Sequence, residues 1–311
     1  MSTKPPITPD GSGYVSIKDG ARQVYWEYFG QGQREVVVML NGVAMSTRGW
    51  YRNLPELQPV YDVLLYDYLG QGRSSQEDEP YGIDAFAEYL VRIMDSLGIE
   101  RIHPVGVSYG GFIAAELGRL FQDRLHTLTL SGILLTRETL FQMYQDLSLK
   151  FYASPDPAFE IYTHYMYEKI FGEAFASRLY GDKLERMRQG FFADYHGKEY
   201  CLIRLTEAQN PFFARIDADP DLYRGIQTPT LLLTGEQDRA IPPWQQAKLL
   251  EILPNARQIT LPGSGHMTYM ERPDIFWPAL RRLFERKAVD WQTGKWVDWL
   301  TGNWYGGSET K

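Results

Sequence analysis

In Gly106-Val107-Ser108-Tyr109-Gly110 a serine stands between two glycines. The apolar run Ile102-His-Pro-Val-Gly-Val107 precedes it, and Gly110-Gly-Phe-Ile-Ala-Ala-Glu-Leu117, a helix-forming stretch, follows. Strand, tight turn and helix around such a serine make a nucleophile elbow, whose small flanking residues let the chain turn sharply and expose the hydroxyl. A serine hydroxyl is a poor nucleophile at neutral pH and needs a base within hydrogen-bond reach. The chain has 5 histidines. His103 and His126 fall in expected strands, and His164 and His196 in a helix-rich stretch, so structural or surface roles are expected for these. His266 ends the small-residue loop Pro262-Gly-Ser-Gly-His266 and is the candidate base. Such a histidine needs a carboxylate to fix its tautomer and stabilise the imidazolium. Asp238, in Thr234-Gly-Glu-Gln-Asp-Arg-Ala-Ile-Pro-Pro243, is favoured for that role over its neighbour Glu236. The order Ser108, Asp238, His266 suits three loops at the carboxyl ends of parallel strands. Donors for an oxyanion are expected from the backbone N–H of Tyr109 and, in the loop Asn41-Gly-Val-Ala44, from that of Val43. Asn41, Gly42, Ala44 and Met267 are the expected substrate contacts.

The elements that would hold these loops are legible in the patterning. Tyr14-Val-Ser-Ile17 and Val24-Tyr-Trp-Glu-Tyr28 flank an Asp-Gly turn and predict a hairpin. Short apolar runs follow at 35–40, 61–66, 102–107, 125–130, 230–233 and 256–261, without the polar alternation of a half-exposed strand. That pattern suits a parallel sheet covered on both faces. Residues 83–97 carry apolar side chains at spacings of three and four, and 110–121, 244–253 and 273–286 read as helices in the same way. The fold class expected is α/β. From 134 to 225 no strand is apparent, and 18 of these 92 residues are Phe or Tyr. That excess predicts a helical insertion that packs its own rings and also lids an apolar pocket. The expected division is therefore a core of 1–133 and 226–290, a helical cap of 134–225, and a tail of 291–311.

Composition narrows the function. With 311 residues, 44% hydrophobic and 23% charged, the chain is an ordinary globular protein. Its net charge of −7 argues against a nucleic-acid partner, which would require a basic face. The single cysteine, Cys201, cannot form an internal disulfide and fits a reducing compartment. The polar, proline-rich start and the lack of an apolar run of about 18 residues predict neither a signal peptide nor a membrane span. A cytoplasmic location is expected.

The spaced motifs together resemble the α/β-hydrolase superfamily over residues 14 to 287. Asp67-Tyr-Leu-Gly-Gln-Gly-Arg-Ser74 adds to the match, being similar to that family's D-x-x-G-x-G-x-S segment. The resemblance implies an α/β-hydrolase fold with an inserted helical cap, a Ser-His-Asp mechanism and no cofactor or metal. Ser108 argues against the haloalkane dehalogenase and epoxide hydrolase branches, which use aspartate at that position. Leu40-Asn-Gly-Val-Ala-Met-Ser-Thr47 is similar to the hydroxyacyl acyltransferase branch, which includes the synthases of hydroxyalkanoyloxy-alkanoate lipid precursors. The elbow departs from that branch's S-x-S-W-G-G, with Gly106 and Tyr109 in the Ser and Trp places. The expected activity is hydrolysis of a small-molecule ester or thioester with an apolar acyl or aryl group. Transfer of a hydroxyacyl chain to an alcohol or thiol is the second reading, and a ligand receptor with little turnover the third. The unit W-x-T-G-x-W occurs at 291–296 and again at 299–304, an indole density that predicts docking on the protein's own surface, a homo-oligomer contact or an interfacial anchor.

Overall fold

The computed structural model describes residues 7–17, 20–76, 78–285, 287–290, 295–298 and 304–305. Strands β1 (Gly11–Ile17) and β2 (Arg22–Phe29) form the hairpin, followed by β3 (Val36–Leu40), α1 (Leu54–Leu57), β4 (Asp62–Tyr66) and α2 (Ile83–Leu97). Next come β5 (Ile102–Val107), α3 (Tyr109–Leu120) and β6 (Leu128–Ser131). Six helices then run without a described strand: α4 (Thr139–Tyr152), α5 (Asp156–Ile170), α6 (Glu173–Leu179), α7 (Asp182–Tyr195), α8 (Glu199–Glu207) and α9 (Gln209–Ala218). The chain returns through β7 (Thr230–Gly235), α10 (Pro243–Gln246), α11 (Leu249–Ile252), β8 (Ala256–Leu261), α12 (Thr268–Glu271) and α13 (Pro273–Phe284).

The main sheet has 8 strands in the order β1-β2-β4-β3-β5-β6-β7-β8. β2 pairs antiparallel with β1 and β4, and from β4 to β8 every pairing is parallel. Burial on both faces explains the continuous apolar strands. In β3, Val36, Val38 and Leu40 pack into one core with α2 and α3, while Val37 and Met39 pack into a second core with Trp277 and Leu280 of α13. Burying each such side chain contributes about 1.5–3 kcal/mol, which holds the strand ends in fixed positions.

The helical insertion has two attachments. Phe141, Leu205, Phe212 and Phe213 join the core around α3, and Phe112 of α3 meets Phe141, Phe212 and Phe213. A third cluster, including Tyr152, Phe159, Tyr162, Phe191 and buried Cys201, is internal to the insertion, and Val43 and Ala44 pack against it. The expected helix at 244–253 is broken into α10 and α11. Bonds of the i→i+3 kind, from Leu250 N–H to Ala247 O and from Glu251 N–H to Lys248 O, tighten the chain between them. Among the described residues no helix is long and apolar enough to cross a membrane. Beyond α13 the backbone segments β9 (Lys287–Asp290), β10 (Lys295–Asp298) and β11 (Trp304–Tyr305) pair as an antiparallel sheet. The tryptophan side chains of the tail, on which its expected covering role rests, lie outside the described residues.

Candidate active site

Ser108 sits between β5 and α3 with φ 53° and ψ −122°, a conformation a non-glycine residue rarely adopts. Its N–H donates to Ser131 O at 2.8 Å, and Gly111 N–H donates to Ser108 O at 2.8 Å. Such a backbone costs on the order of 1–3 kcal/mol and persists only where its surroundings enforce it. The turn depends on Gly106, because a Cβ there would stand 2.4 Å from Gly110 O and 2.6 Å from Gly111 Cα. Strand and helix can therefore cross closely only without a side chain at that point.

His266 and Asp238 meet across the ends of β7 and β8. His266 Nδ1 lies 2.7 Å from Asp238 Oδ2. The same carboxylate accepts from Gln246 Nε2 at 3.0 Å through Oδ2, and from the N–H groups of Ala240 and Ile241 at 2.9 and 2.8 Å through Oδ1. Glu236 instead accepts from Gly263 N–H at 2.8 Å. Burial opposes the charged imidazolium, but the Asp238 charge and hydrogen bond, with Glu271 nearby, outweigh it and hold His266 above its ordinary pKa. The ring also passes close to Gly132, where φ is 66° and a Cβ would approach His266 Cε1 to 2.6 Å.

The loop carrying His266 is fixed by a buried carboxylate that the sequence did not single out. Glu271 of α12 accepts from Gly172 and Gly265 N–H through Oε2 at 2.9 and 2.8 Å, and from Met267 N–H through Oε1 at 3.2 Å. His266 N–H in turn donates to Ile170 O at 2.7 Å. The end of α5 is thus joined directly to the histidine loop. Burial raises the Glu271 carboxyl above the usual range even though the three amides and His266 pull it down.

The loop after β3 is fixed from behind. Asn41 is fully buried, donates from Nδ2 to Tyr66 O at 3.1 Å and accepts from Trp50 Nε1 at 2.7 Å through Oδ1. This corrects the expectation for Asn41: its side chain holds the loop within the core and does not line the site cavity. Tyr68 Oη donates to Asn41 O at 3.0 Å and Gln71 Nε2 to Gly42 O at 3.2 Å. Asp67 accepts from the N–H groups of Thr47 and Arg73 at 2.7 and 2.9 Å, so the Asp67–Ser74 segment braces the far end of this loop. Burial pushes the Asp67 carboxyl up to about 6 against those bonds. Ala44, with φ 60°, shares the left-handed region with Ser108.

Ser108 and His266 line one cavity of about 200 Å³. Gly42, Val43, Ala44, Tyr109 and Met267 also contribute to its wall, and the insertion closes it with residues of α4, α5, α7 and α8. Tyr109 is the first residue of α3, where backbone N–H groups have no partner within the helix. Among the described residues the wall holds no Lys, Arg, Asp or Glu. Gln145 of α4, absent from the sequence expectations, lies in this wall.

The remaining histidines lie elsewhere. His103 is fully buried, with Nδ1 2.8 Å from Thr127 Oγ1 and Nε2 3.2 Å from Glu35 Oε2. Its ring stacks on His126 at 4.9 Å near the amino ends of the strands, the opposite end of the sheet from Ser108. Those parallel-lying rings, with Glu35, brace β3 against β5 and β6. His196 stacks on Phe192 at 4.7 Å in the insertion. His164 borders a separate surface depression with Tyr167 and Arg239.

Comparison with known proteins agrees with this architecture. The family model for the alpha/beta hydrolase fold matches residues 35–273. RutD of Pseudomonas savastanoi pv. phaseolicola, named as a carbamate hydrolase, is 31% identical over 244 residues, covering 76% of this chain and 89% of that protein. The 2-hydroxy-6-oxo-6-phenylhexa-2,4-dienoate hydrolase of Burkholderia cepacia is 28% identical over 254 residues, covering 79% and 86%. The crystal structure of MGS-M2, an alpha/beta hydrolase enzyme from a Medee basin deep-sea metagenome library, superposes with a TM-score of 0.79 at 25% identity, covering 90% of this chain and all of that one. An eight-stranded, mostly parallel sheet, a serine on a strained turn between strand and helix, and matches over most of its length make this chain a member of the α/β-hydrolase family.

Proposed function

We propose that this hydrolase cleaves neutral carboxylic esters or thioesters through an acyl-enzyme on Ser108. The observation that carries the reading is the 2.7 Å contact between His266 Nδ1 and Asp238 Oδ2. With Nδ1 engaged there, Nε2 is the nitrogen left to serve a hydroxyl in the cavity that both residues line. In this reading Ser108 Oγ attacks the carbonyl carbon while His266 Nε2 takes its proton. The N–H groups of Val43 and Tyr109 stabilise the oxyanion, a contribution typically of 10²–10³-fold for one such donor. The ester C–O or thioester C–S bond breaks, and His266 returns the proton to the departing alcohol or thiol. Water then gives up a proton to the same imidazole and attacks the acyl-enzyme; the C–Oγ bond breaks, the imidazole returns that proton to Ser108 Oγ, and the acid leaves. Asp238 orients the ring and balances its transient charge.

Residues 134–225 act as a cap over the acyl group. Support comes from the aromatic and methionine side chains that the insertion adds to a wall without charged residues. A volume of about 200 Å³ exceeds the roughly 150 Å³ that admits benzene in an engineered cavity, so a short acyl chain or one aromatic ring is the expected load. The similar proteins are named for hydrolysing a carbamate and a dienoate, which favours water over another acceptor but leaves the substrate to this chain's own cavity. A p-nitrophenyl ester series tests the reading. Specificity, kcat/KM, is expected to rise about fourfold per added methylene, from ~0.8 kcal/mol each, and then fall once the cavity is filled. A flat profile contradicts an apolar acyl site. Incubating a hydroxyacyl thioester with an alcohol or thiol acceptor is expected to yield free acid, and an acyl–acceptor product would reassign the chain to acyl transfer.

A further inference from the structure

Helix α4 presents Phe141, Tyr144, Gln145, Ser148 and Tyr152 to the cavity, a stripe at helical spacing. Two of its polar members, and Gln209 of α9, have partners. Ser148 Oγ donates to Tyr144 O at 2.9 Å, and Tyr152 Oη donates to Tyr162 Oη at 2.8 Å. Gln209, across the cavity, donates to Thr206 O at 3.5 Å. Gln145 is different: it is only 5% exposed, and neither Nε2 nor Oε1 has a hydrogen-bond partner among the described residues. The Tyr109 hydroxyl is also without one, but that ring packs on Tyr68 and Phe86 in the α2 core. Among the described residues Gln145 is therefore an unsatisfied carboxamide on a helix that lines the substrate cavity.

Leaving both ends of a carboxamide buried and unpaired is unfavourable, and an apolar residue of the same shape would avoid the penalty entirely. We infer that Gln145 is a specificity residue that binds a neutral carboxamide-type group, an N–H donor beside a C=O acceptor, on the acyl part of the substrate. This rests on the proposed ester reading for the chemistry, but the recognition itself does not require Ser108 to react. A planar amide offers the donor–acceptor pair that complements Nε2 and Oε1 together. A ketone or ether could satisfy only Nε2. A carboxylate would enter a wall that, among the described residues, holds no Lys or Arg and whose one imidazole, His266, is already paired with Asp238. The rest of the wall is largely aromatic and aliphatic, so a short hydrocarbon spacer would join that amide to the scissile carbonyl.

The test uses hexanamide and its isostere 2-heptanone, which lacks the N–H donors. Calorimetry on wild type is expected to show hexanamide bound about 2- to 10-fold more tightly, the range for the one hydrogen bond, from its N–H to Gln145 Oε1, that the ketone cannot make. In Gln145→Met that preference disappears. The same variant is expected to melt at a higher temperature than wild type, because it replaces an unpaired amide by a thioether of similar shape. A residue with a purely structural polar role would instead lower it. Kinetically, p-nitrophenyl esters ending in a carbamoyl group, with two to four methylenes, are compared with their branched-alkyl isosteres. Gln145→Met should shift the kcat/KM ratio of the best pair about 5- to 100-fold toward the alkyl ester. An equal preference in wild type and variant overturns the inference, as does wild type that binds no hexanamide up to its solubility limit. Failure of every ester to acylate Ser108, with the amide preference intact, would instead reject the ester reading alone.

Discussion

Glu271→Gln separates the support of the histidine loop from the chemistry of the histidine. Glu271 is 5% exposed and its two oxygens accept three backbone N–H groups, two on Oε2 and one on Oε1. Glutamine has one acceptor oxygen. If that oxygen faces Gly172 and Gly265, its NH₂ group confronts the N–H of Met267, donor against donor. At least one charge-assisted bond is lost, worth about 1.5–3 kcal/mol, and one amide is left buried without a partner. Removing a carboxylate that burial already disfavours offsets part of this. A net destabilisation of about 2–3 kcal/mol follows, which lowers Tm by about 3–5 °C in a domain of this size. The variant also removes a negative charge that helps hold His266 above its ordinary pKa. As the proposed base His266 must be neutral to act, so the acid limb of kcat/KM is expected above pH ~6.5 in wild type and at lower pH in the variant. Thermal melts by circular dichroism and pH–rate profiles with a p-nitrophenyl ester read both effects. Unchanged Tm together with an unmoved acid limb would refute the reasoning. A lowered Tm with the limb in place would refute the electrostatic half alone.

Three further outcomes follow from the same geometry. Asp238→Asn leaves the backbone donors of Ala240 and Ile241 an acceptor but loses the charge that holds the imidazole; kcat is expected to fall by ~10³–10⁴ with little change in KM, measured by steady-state kinetics. Gly106→Ala forces a Cβ against backbone at 2.4 and 2.6 Å, so a loss of about 3 kcal/mol or more, or failure to fold, is expected in denaturant titrations. Gly190→Ala, on an exposed turn of α7 where a Cβ meets nothing within 4 Å, should instead stabilise the protein by about 0.5–1 kcal/mol in the same titrations.

The fold was legible in the sequence because its physics is local. A strand buried on both faces is mostly apolar, so β3 to β7 announced themselves, whereas β8 lies at the sheet edge and exposes Arg257 and Thr260; the amphipathic stripe of α2 fell at Ile83–Leu97 as its spacing predicted. The shape of the elbow was also readable, since a serine between glycines after such a strand has few alternatives. What eluded the sequence depends on contacts between distant segments. Glu271 looks like any acid in a short helix until the end of α5 is brought against the His266 loop. Asn41 stood in a loop expected to touch substrate, yet Trp50 and the Tyr66 carbonyl turn its side chain inward. Gln145 shows no signal because a glutamine on a helix is ordinary, and only its burial beside the cavity makes its unpaired amide unusual. The split of α10 from α11 eluded it as well, because the periodicity of 244–253 continues across the break.

The central claim is that Ser108 is the nucleophile, driven by the His266–Asp238 pair. Intact-protein mass spectrometry after treatment with a fluorophosphonate, with peptide mapping of the adduct, addresses it directly. One phosphonyl group per chain, carried on Ser108 and absent from both Ser108→Ala and a correctly folded His266→Ala at matched times, is the predicted result. Equal labelling of wild type and Ser108→Ala, or an adduct mapped to another residue, would contradict it.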